Sequence, residues 1–111
     1  GAGGLMVPLN RETLYLDLFA EWGAPVILCA RTQLGTINHT LLSLKALRDA
    51  GCSVIGIAFI GAPEPEVEDT IVQFGQVAHL GRLPMIDALD RAALADAFGQ
   101  NIKLDLIREA L

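Results

Sequence analysis

"APVILCARTQLGTINHTLLSLKALRDAGCSVIGIAFIG", residues 24 to 61, decides the fold. Its first seven residues, Ala24 to Ala30, form a short continuous apolar run rich in β-branched side chains and punctuated by Pro25, the pattern of a strand covered on both faces. A second such run, "CSVIGIAFIG", spans Cys52 to Gly61. Between the two, Ile37, Leu41, Leu44 and Leu47 or Arg48 recur at helical spacing. Thr36 or Gly35 starts that helix, and Gly51 sits where a C-terminal cap belongs. Strand, helix and strand at this length imply a parallel pair joined by a right-handed crossover, since a right-twisted strand feeding a helix returns to its sheet that way.

The flanks extend the same alternation. Upstream, "NRETLYLDLFAEWG" places Leu14, Leu18, Phe19 and Trp22 on one helical face, with Asn10 as cap and Gly23 as stop. Downstream, "PEVEDTIVQFG" carries Glu66, Glu68 and Asp69 in the first turns of a helix, where they favour its dipole, ahead of the apolar Ile71, Val72 and Phe74. "VAHLGRLP" reads as a short strand running into a loop, and "LDRAALADAFG" and "NIKLDLIREAL" close the chain as helices. The fold class is therefore α/β, a parallel sheet with flanking helices. Three or four strands make a thin sheet for this class. The glycines of "GAGGLMVPLN" also follow no strand, so the polypeptide reads as a piece of something larger.

Composition excludes several functions. With 111 residues, 52% of them hydrophobic and 19% charged, the chain is a single folding unit and not a disordered one. A unit of this size buries only roughly 65% of the surface its unfolded chain exposes, so an apolar excess points to a partner surface. Net charge is −5 and the eight Lys and Arg are scattered singly, which argues against nucleic acid and against a polybasic membrane patch. No apolar run approaches the ~18 residues of a membrane span. No charged-then-apolar leader opens the chain, and a cytoplasmic setting is the expectation. Cys29 and Cys52 lack metal or redox spacing and read as reduced core residues.

Candidate chemistry concentrates at one turn. A helix start leaves about four N–H groups without internal partners and carries roughly half a positive charge, which suits a carboxylate or phosphate. In "LGTINH", Gly35 permits close approach, and Thr36 and Asn38 add polar side chains. Ligands of open α/β sheets bind beyond the carboxyl ends of strands, and this turn follows "VILCA". An ordinary capped helix is the alternative. "GAGG" is either a nest of amides for phosphate or a flexible terminus. His39 reads as a capping or packing residue, His79 as a core residue, and Glu64, Glu66, Glu68 and Asp69 as a solvated helix start. Neither a nucleophile motif nor metal spacing is present.

Taken together and in order, "GAGGLMVPLN", "PVILCARTQLGTINHTLLSLKALRDAG", "VIGIAFIG" and "LGRLP" resemble the C-terminal half of dethiobiotin synthetase, the ATP-dependent carboxylase-cyclase of biotin synthesis. The resemblance spans essentially the whole chain. It implies a P-loop NTPase-like fold and a homodimer with each active site at the subunit boundary. There 7,8-diaminopelargonate reacts with CO2 to a carbamate, ATP phosphorylates it with Mg2+ present, and the second amine closes the ureido ring. Carried over by residue, it assigns Leu34, Gly35, Thr36, Ile37 and Asn38 to the tail carboxylate of diaminopelargonate bound mainly by the neighbouring subunit. Gly1, Ala2 and Gly3 correspond to the segment beside the nucleotide phosphates, and Leu83, Pro84 and Met85 to the loop against adenine and ribose.

Departures from the family pattern are equally specific. Many members carry Asn where Ile60 stands; Ile60 forms no hydrogen bond to a base, and Gly61 beside it has only its backbone. The phosphate loop with its lysine, the following catalytic lysine, the metal-binding aspartate and a glutamate before Gly1 are expected in an N-terminal half outside this chain. This chain alone is accordingly expected to be inactive. The competing expectations are a non-catalytic anion-binding or dimerisation module on the same core, and a related P-loop amidotransferase or partitioning ATPase.

Overall fold

The computed structural model describes residues 3–111. Three strands, β1 (Val26–Arg31), β2 (Val54–Ile60) and β3 (His79–Leu83), form one parallel sheet in the order β1-β2-β3. Helices α2 (Thr36–Asp49) and α3 (Pro65–Gly75) are the two crossovers; α1 (Tyr15–Trp22) precedes β1, and α4 (Arg91–Asn101) and α5 (Leu104–Ala110) follow β3. The expected α/β class and the strand-helix-strand unit around residues 24 to 61 are both present.

The core explains why those runs are strands. Ala30, Ile57 and Phe59 from the sheet meet Ile71 of α3, with Leu28, Ile37, Val67, Val72 and Val77 packed around them. Leu44 and Leu47 of α2 and Leu80 of β3 are also fully buried. Burying a large apolar side chain contributes roughly 1.5–3 kcal/mol, so this cluster is the main source of stability. Arg48 joins the ends of the two crossover helices: its guanidinium donates to the Gly75 carbonyl and, at 2.8 Å, to the Gln76 carbonyl. A cation there offsets the partial negative charge of a helix C-terminus.

Only the central strand is covered on both faces. Along β2, Gly56 through Phe59 are buried without a break. Along β1, burial alternates: Leu28 and Ala30 turn into the core, whereas Ile27, Cys29 and Arg31 are exposed. The expectation of a doubly covered first strand is corrected for a physical reason. α2 and α3 pack on each other and α2 also covers β1, whereas α4 packs mainly against β3 and α5 against β2 and β3. Cys52 is buried as expected; Cys29 lies on the open face and is not a core residue.

Other boundaries also shift. The Asn10 side chain accepts from the Glu12 and Thr13 N–H groups at 2.8 and 2.9 Å, closing a turn ahead of the helix. α1 begins five residues later and is capped in reverse, with Asp17 accepting from the Leu14 N–H at 2.8 Å. Gly23 ends that helix in the left-handed region, as expected. Trp22 and Phe74, read as members of apolar helix faces, are exposed. Glu68 departs furthest: it is 6% exposed, its carboxylate accepting from the Glu64 N–H at 3.0 Å and meeting His79 Nε2 at 3.0 Å. Because His79 Nδ1 accepts from the Gly81 N–H at 3.0 Å, its proton sits on Nε2 and is donated to Glu68.

Beyond β3 the chain folds back on the sheet edge. Ile102 pairs antiparallel with Gly81, and the Lys103 N–H donates to the Leu80 carbonyl at 2.7 Å. That approach is possible only over a glycine. A β-carbon on Gly81 would lie 1.9 Å from the Asn101 carbonyl oxygen.

Candidate functional site

The carboxyl ends of the three strands lie side by side, with Arg31 opposite Ile60 and Ile60 opposite Leu83. Beyond them the backbone is strapped together. Thr32, one residue past β1, donates its N–H to the Ile60 carbonyl at 3.1 Å and its hydroxyl to the Ala62 carbonyl at 2.7 Å. Gly61 donates its N–H to the Leu83 carbonyl at 2.9 Å, and its own carbonyl accepts from Arg82 Nη1 at 2.7 Å. Gly61 has φ +127°, and a β-carbon there would fall 2.7 Å from Thr32 Oγ1, so the close approach of the threonine requires glycine.

Immediately after Thr32 comes the turn singled out in the sequence. Gly35 is the N-cap of α2 with φ 93°, a left-handed conformation that only glycine adopts readily. The Thr36 N–H closes the turn on the Gln33 carbonyl at 3.1 Å, and the His39 N–H makes the first helical bond to Gly35 at 3.1 Å. The Ile37 and Asn38 N–H groups lie between these two, at the front of the helix, and no side chain among the described residues caps it. The Thr36 hydroxyl is 3.1 Å from that of Thr40. Leu34 is fully exposed at the tip of the turn, and His39 is exposed beside it.

Two grooves meet at this turn. One, of about 780 Å3, runs along the outer side of α2 past Leu34, Ile37, Leu41, Leu42 and Val67. The other, of about 1010 Å3, follows the free edge of β1 from Phe19 and Trp22 to Gly35 and Thr36, and reaches Gly3. Of the residues expected to serve a ligand, Leu34 to Asn38 thus form one continuous turn, with Gly3 on a groove that this turn also lines. Gly1 and Ala2 lie outside the described residues. Ile60, Gly61 and Leu83 form a second group on the sheet edge, followed by half-buried Pro84 and exposed Met85.

The geometry amends one expectation. Both backbone polar groups of Gly61 are already paired, to Leu83 and to Arg82, so Gly61 has no free backbone N–H for a base. Thr32 and Arg82, which make the straps, carry no signal in local sequence because their partners lie 30 and 21 residues away. No three His, Cys, Asp or Glu side chains among the described residues are grouped to hold a metal ion. No helix among them is long and apolar enough to cross a membrane.

Open parallel α/β architecture, with its turns gathered at the carboxyl edge where such sheets bind ligands, accords with a P-loop NTPase-like fold, and a family model described as AAA domain matches residues 1–93. The chain belongs to this family. Among curated proteins it is similar to the ATP-dependent dethiobiotin synthetase BioD of Rhodopseudomonas palustris strain BisB18, 62% identical over 98 residues, which is 88% of this chain and 47% of that protein. The ATP-dependent dethiobiotin synthetase BioD of strain HaA2 is 56% identical over 105 residues, 95% of this chain and 49% of the relative. The protein of the same name from Brucella ovis is 54% identical over 105 residues, 95% of this chain and 50% of its own length. The chain spans about half the length of the curated relatives it matches.

Proposed function

We propose that this chain is the C-terminal portion of an ATP-dependent dethiobiotin synthetase, and that it supplies the substrate-carboxylate turn and the base side of the nucleotide pocket. Support comes from the identity to the Rhodopseudomonas and Brucella synthetases. One structural observation carries the assignment of the turn: α2 starts at a left-handed Gly35 with no capping side chain among the described residues. The Ile37 and Asn38 N–H groups, together with the positive end of the helix, hold the tail carboxylate of 7,8-diaminopelargonate. The diamine end then lies outside this turn, toward CO2 and the nucleotide.

The same reading gives the exposed apolar residues a use. Leu34 and Leu42 are largely exposed and, with Ile37 and Leu41, line the groove beside the turn. A second copy of the subunit covers them in a homodimer, which brings the turn of one subunit to the active site of the other. For the nucleotide, Ile60, Pro84 and Met85 provide apolar contact and not hydrogen bonds, so base selectivity rests on shape. No three His, Cys, Asp or Glu side chains among the described residues come together as a ready-made ligand set for Mg2+. The metal and the γ-phosphate are held by residues outside this chain, and the chain alone does not turn over.

Calorimetric titration of the chain with 7,8-diaminopelargonate and with pimelate tests the reading. Preference for the diamine is expected, and equal affinity overturns it in favour of a general anion-binding module. Gly35→Ala places a side chain in the left-handed region and should weaken diamine binding about fivefold, the equivalent of about 1 kcal/mol. Phosphate release from ATP and the diamine by this chain alone should be absent; robust turnover would contradict the placement of catalysis elsewhere.

A further inference from the structure

Thr32 is buried, at 9% exposure, and both its N–H and its hydroxyl are engaged within the protein. Its N–H extends the β1–β2 ladder one step past Arg31, to Ile60, and its hydroxyl reaches on to the Ala62 carbonyl at 2.7 Å. These two bonds stop the chain from turning until Gln33, where the 33–36 bond forms the turn that presents Gly35 to Asn38. On the other side of the same contact, Gly61 lies beneath the hydroxyl, tied to Leu83 through its N–H and to Arg82 through its carbonyl. Thr32, the first residue of the β1–α2 connection, therefore reaches the β2–α3 connection directly, its hydroxyl bonded to the Ala62 carbonyl.

We propose that Thr32 is a positioning residue that fixes the carboxylate-binding turn relative to the nucleotide-side edge, so that the amine end of the substrate meets the nucleotide at reacting distance. It touches no ligand itself. The inference rests on the proposed synthetase reading, because only there do the two connections serve two reactants. A bifunctional substrate anchored by its tail is sensitive to this separation: moving the anchor by about 1 Å costs up to about a hundredfold in rate while leaving the anchoring contacts intact. Loss of the hydroxyl should therefore lower kcat more than it raises KM.

The test compares Thr32→Val, which keeps the branched shape and removes the hydroxyl, with Thr32→Ser, which keeps the hydroxyl. In the whole synthetase, Thr32→Val should lower kcat at least about tenfold with KM for the diamine changed less than about twofold, and Thr32→Ser should stay within about twofold of wild type in both. Hydrogen exchange of this chain gives a readout free of ligand: in Thr32→Val the amides of residues 33–38 and of residues 61–62 should exchange faster together, and in Thr32→Ser neither should change. Unchanged kcat in Thr32→Val, an equal loss in Thr32→Ser, or acceleration confined to one of the two connections overturns the proposal. Failure of the synthetase reading looks different: the coupled exchange persists, but the wild-type chain shows no preference for diamine over pimelate.

Discussion

Two glycines eighteen residues apart should respond to the same methyl group with opposite signs. At Gly81 the backbone has φ +127°, and an added β-carbon would sit 1.9 Å from the Asn101 oxygen and 2.9 Å from its carbonyl carbon. Holding an L-residue in that backbone region costs about 1–3 kcal/mol. Relieving the overlap requires the 101–103 segment to withdraw by more than 1 Å, since contacts below 3.0 Å do not persist. Withdrawal breaks the Ile102 pairing and the 2.7 Å bond from Lys103 to Leu80, each contributing about 1 kcal/mol. The expected loss for Gly81→Ala is about 3–5 kcal/mol out of a total stability of about 5–15. At Gly99, inside α4 and exposed, nothing lies within 4 Å of the new carbon. Gly99→Ala should therefore stabilise by about 0.5–1 kcal/mol through helix propensity. Urea unfolding followed by circular dichroism reads both: with a slope of about 2 kcal/mol/M, the midpoint falls by about 2 M in the first variant and rises by about 0.3–0.5 M in the second. Shifts of the same sign, or a Gly81→Ala midpoint within about 0.5 M of wild type, would refute the close passage of residues 101 to 103 over β3.

Further outcomes follow from the same contacts. Glu68→Ala leaves the Glu64 N–H and the His79 Nε2–H without the acceptor they share and should destabilise by about 2–3 kcal/mol in the same urea assay. Lys45→Ala removes only an exposed pair with Asp49 at 2.9 Å and should change stability by less than about 0.5 kcal/mol. Phe59→Ala empties the centre of the core and should cost about 3–5 kcal/mol. Thiol titration should find one rapidly reacting cysteine in the native chain and two after denaturation, with the fast one absent from Cys29→Ser.

What was legible beforehand was what local chemistry determines. The turn proposed to bind the carboxylate announces itself because a glycine before a helix start is a property of four or five consecutive residues, and Gly35 stands at that start, in the left-handed conformation. The crossover unit is equally local, since continuous apolar runs and helical spacing each report on their own segment. Burial from the far side is not local. The run at Val26–Arg31 looks like that at Val54–Ile60, yet only the second is covered on both faces, and the difference lies in which strand α4 and α5 reach from outside the segment. Glu68 illustrates the same point: an acidic residue in a first turn is usually solvated, and nothing near it in sequence reveals His79 eleven positions on.

The straps at the carboxyl edge were hidden for a stricter reason. Both ladders contain an irregularity, between Val26 and Ile27 opposite β2 and between Ile57 and Ala58 opposite β3. Each displaces the register by one residue, so regular alternation carried from the start of a strand mis-assigns the partners at its end. Gly56 lies opposite Ile27 at the first shift and next to Ile57 at the second, its backbone too near the Leu80 side chain and the Ala78 carbonyl for any β-carbon. Only after that displacement do Ile60 and Leu83 fall opposite each other, and Gly61 meet Leu83 and Arg82. The register at the carboxyl edge is thus set at the middle of the sheet, and the Thr32 contact beyond it exists because Gly61 has no side chain.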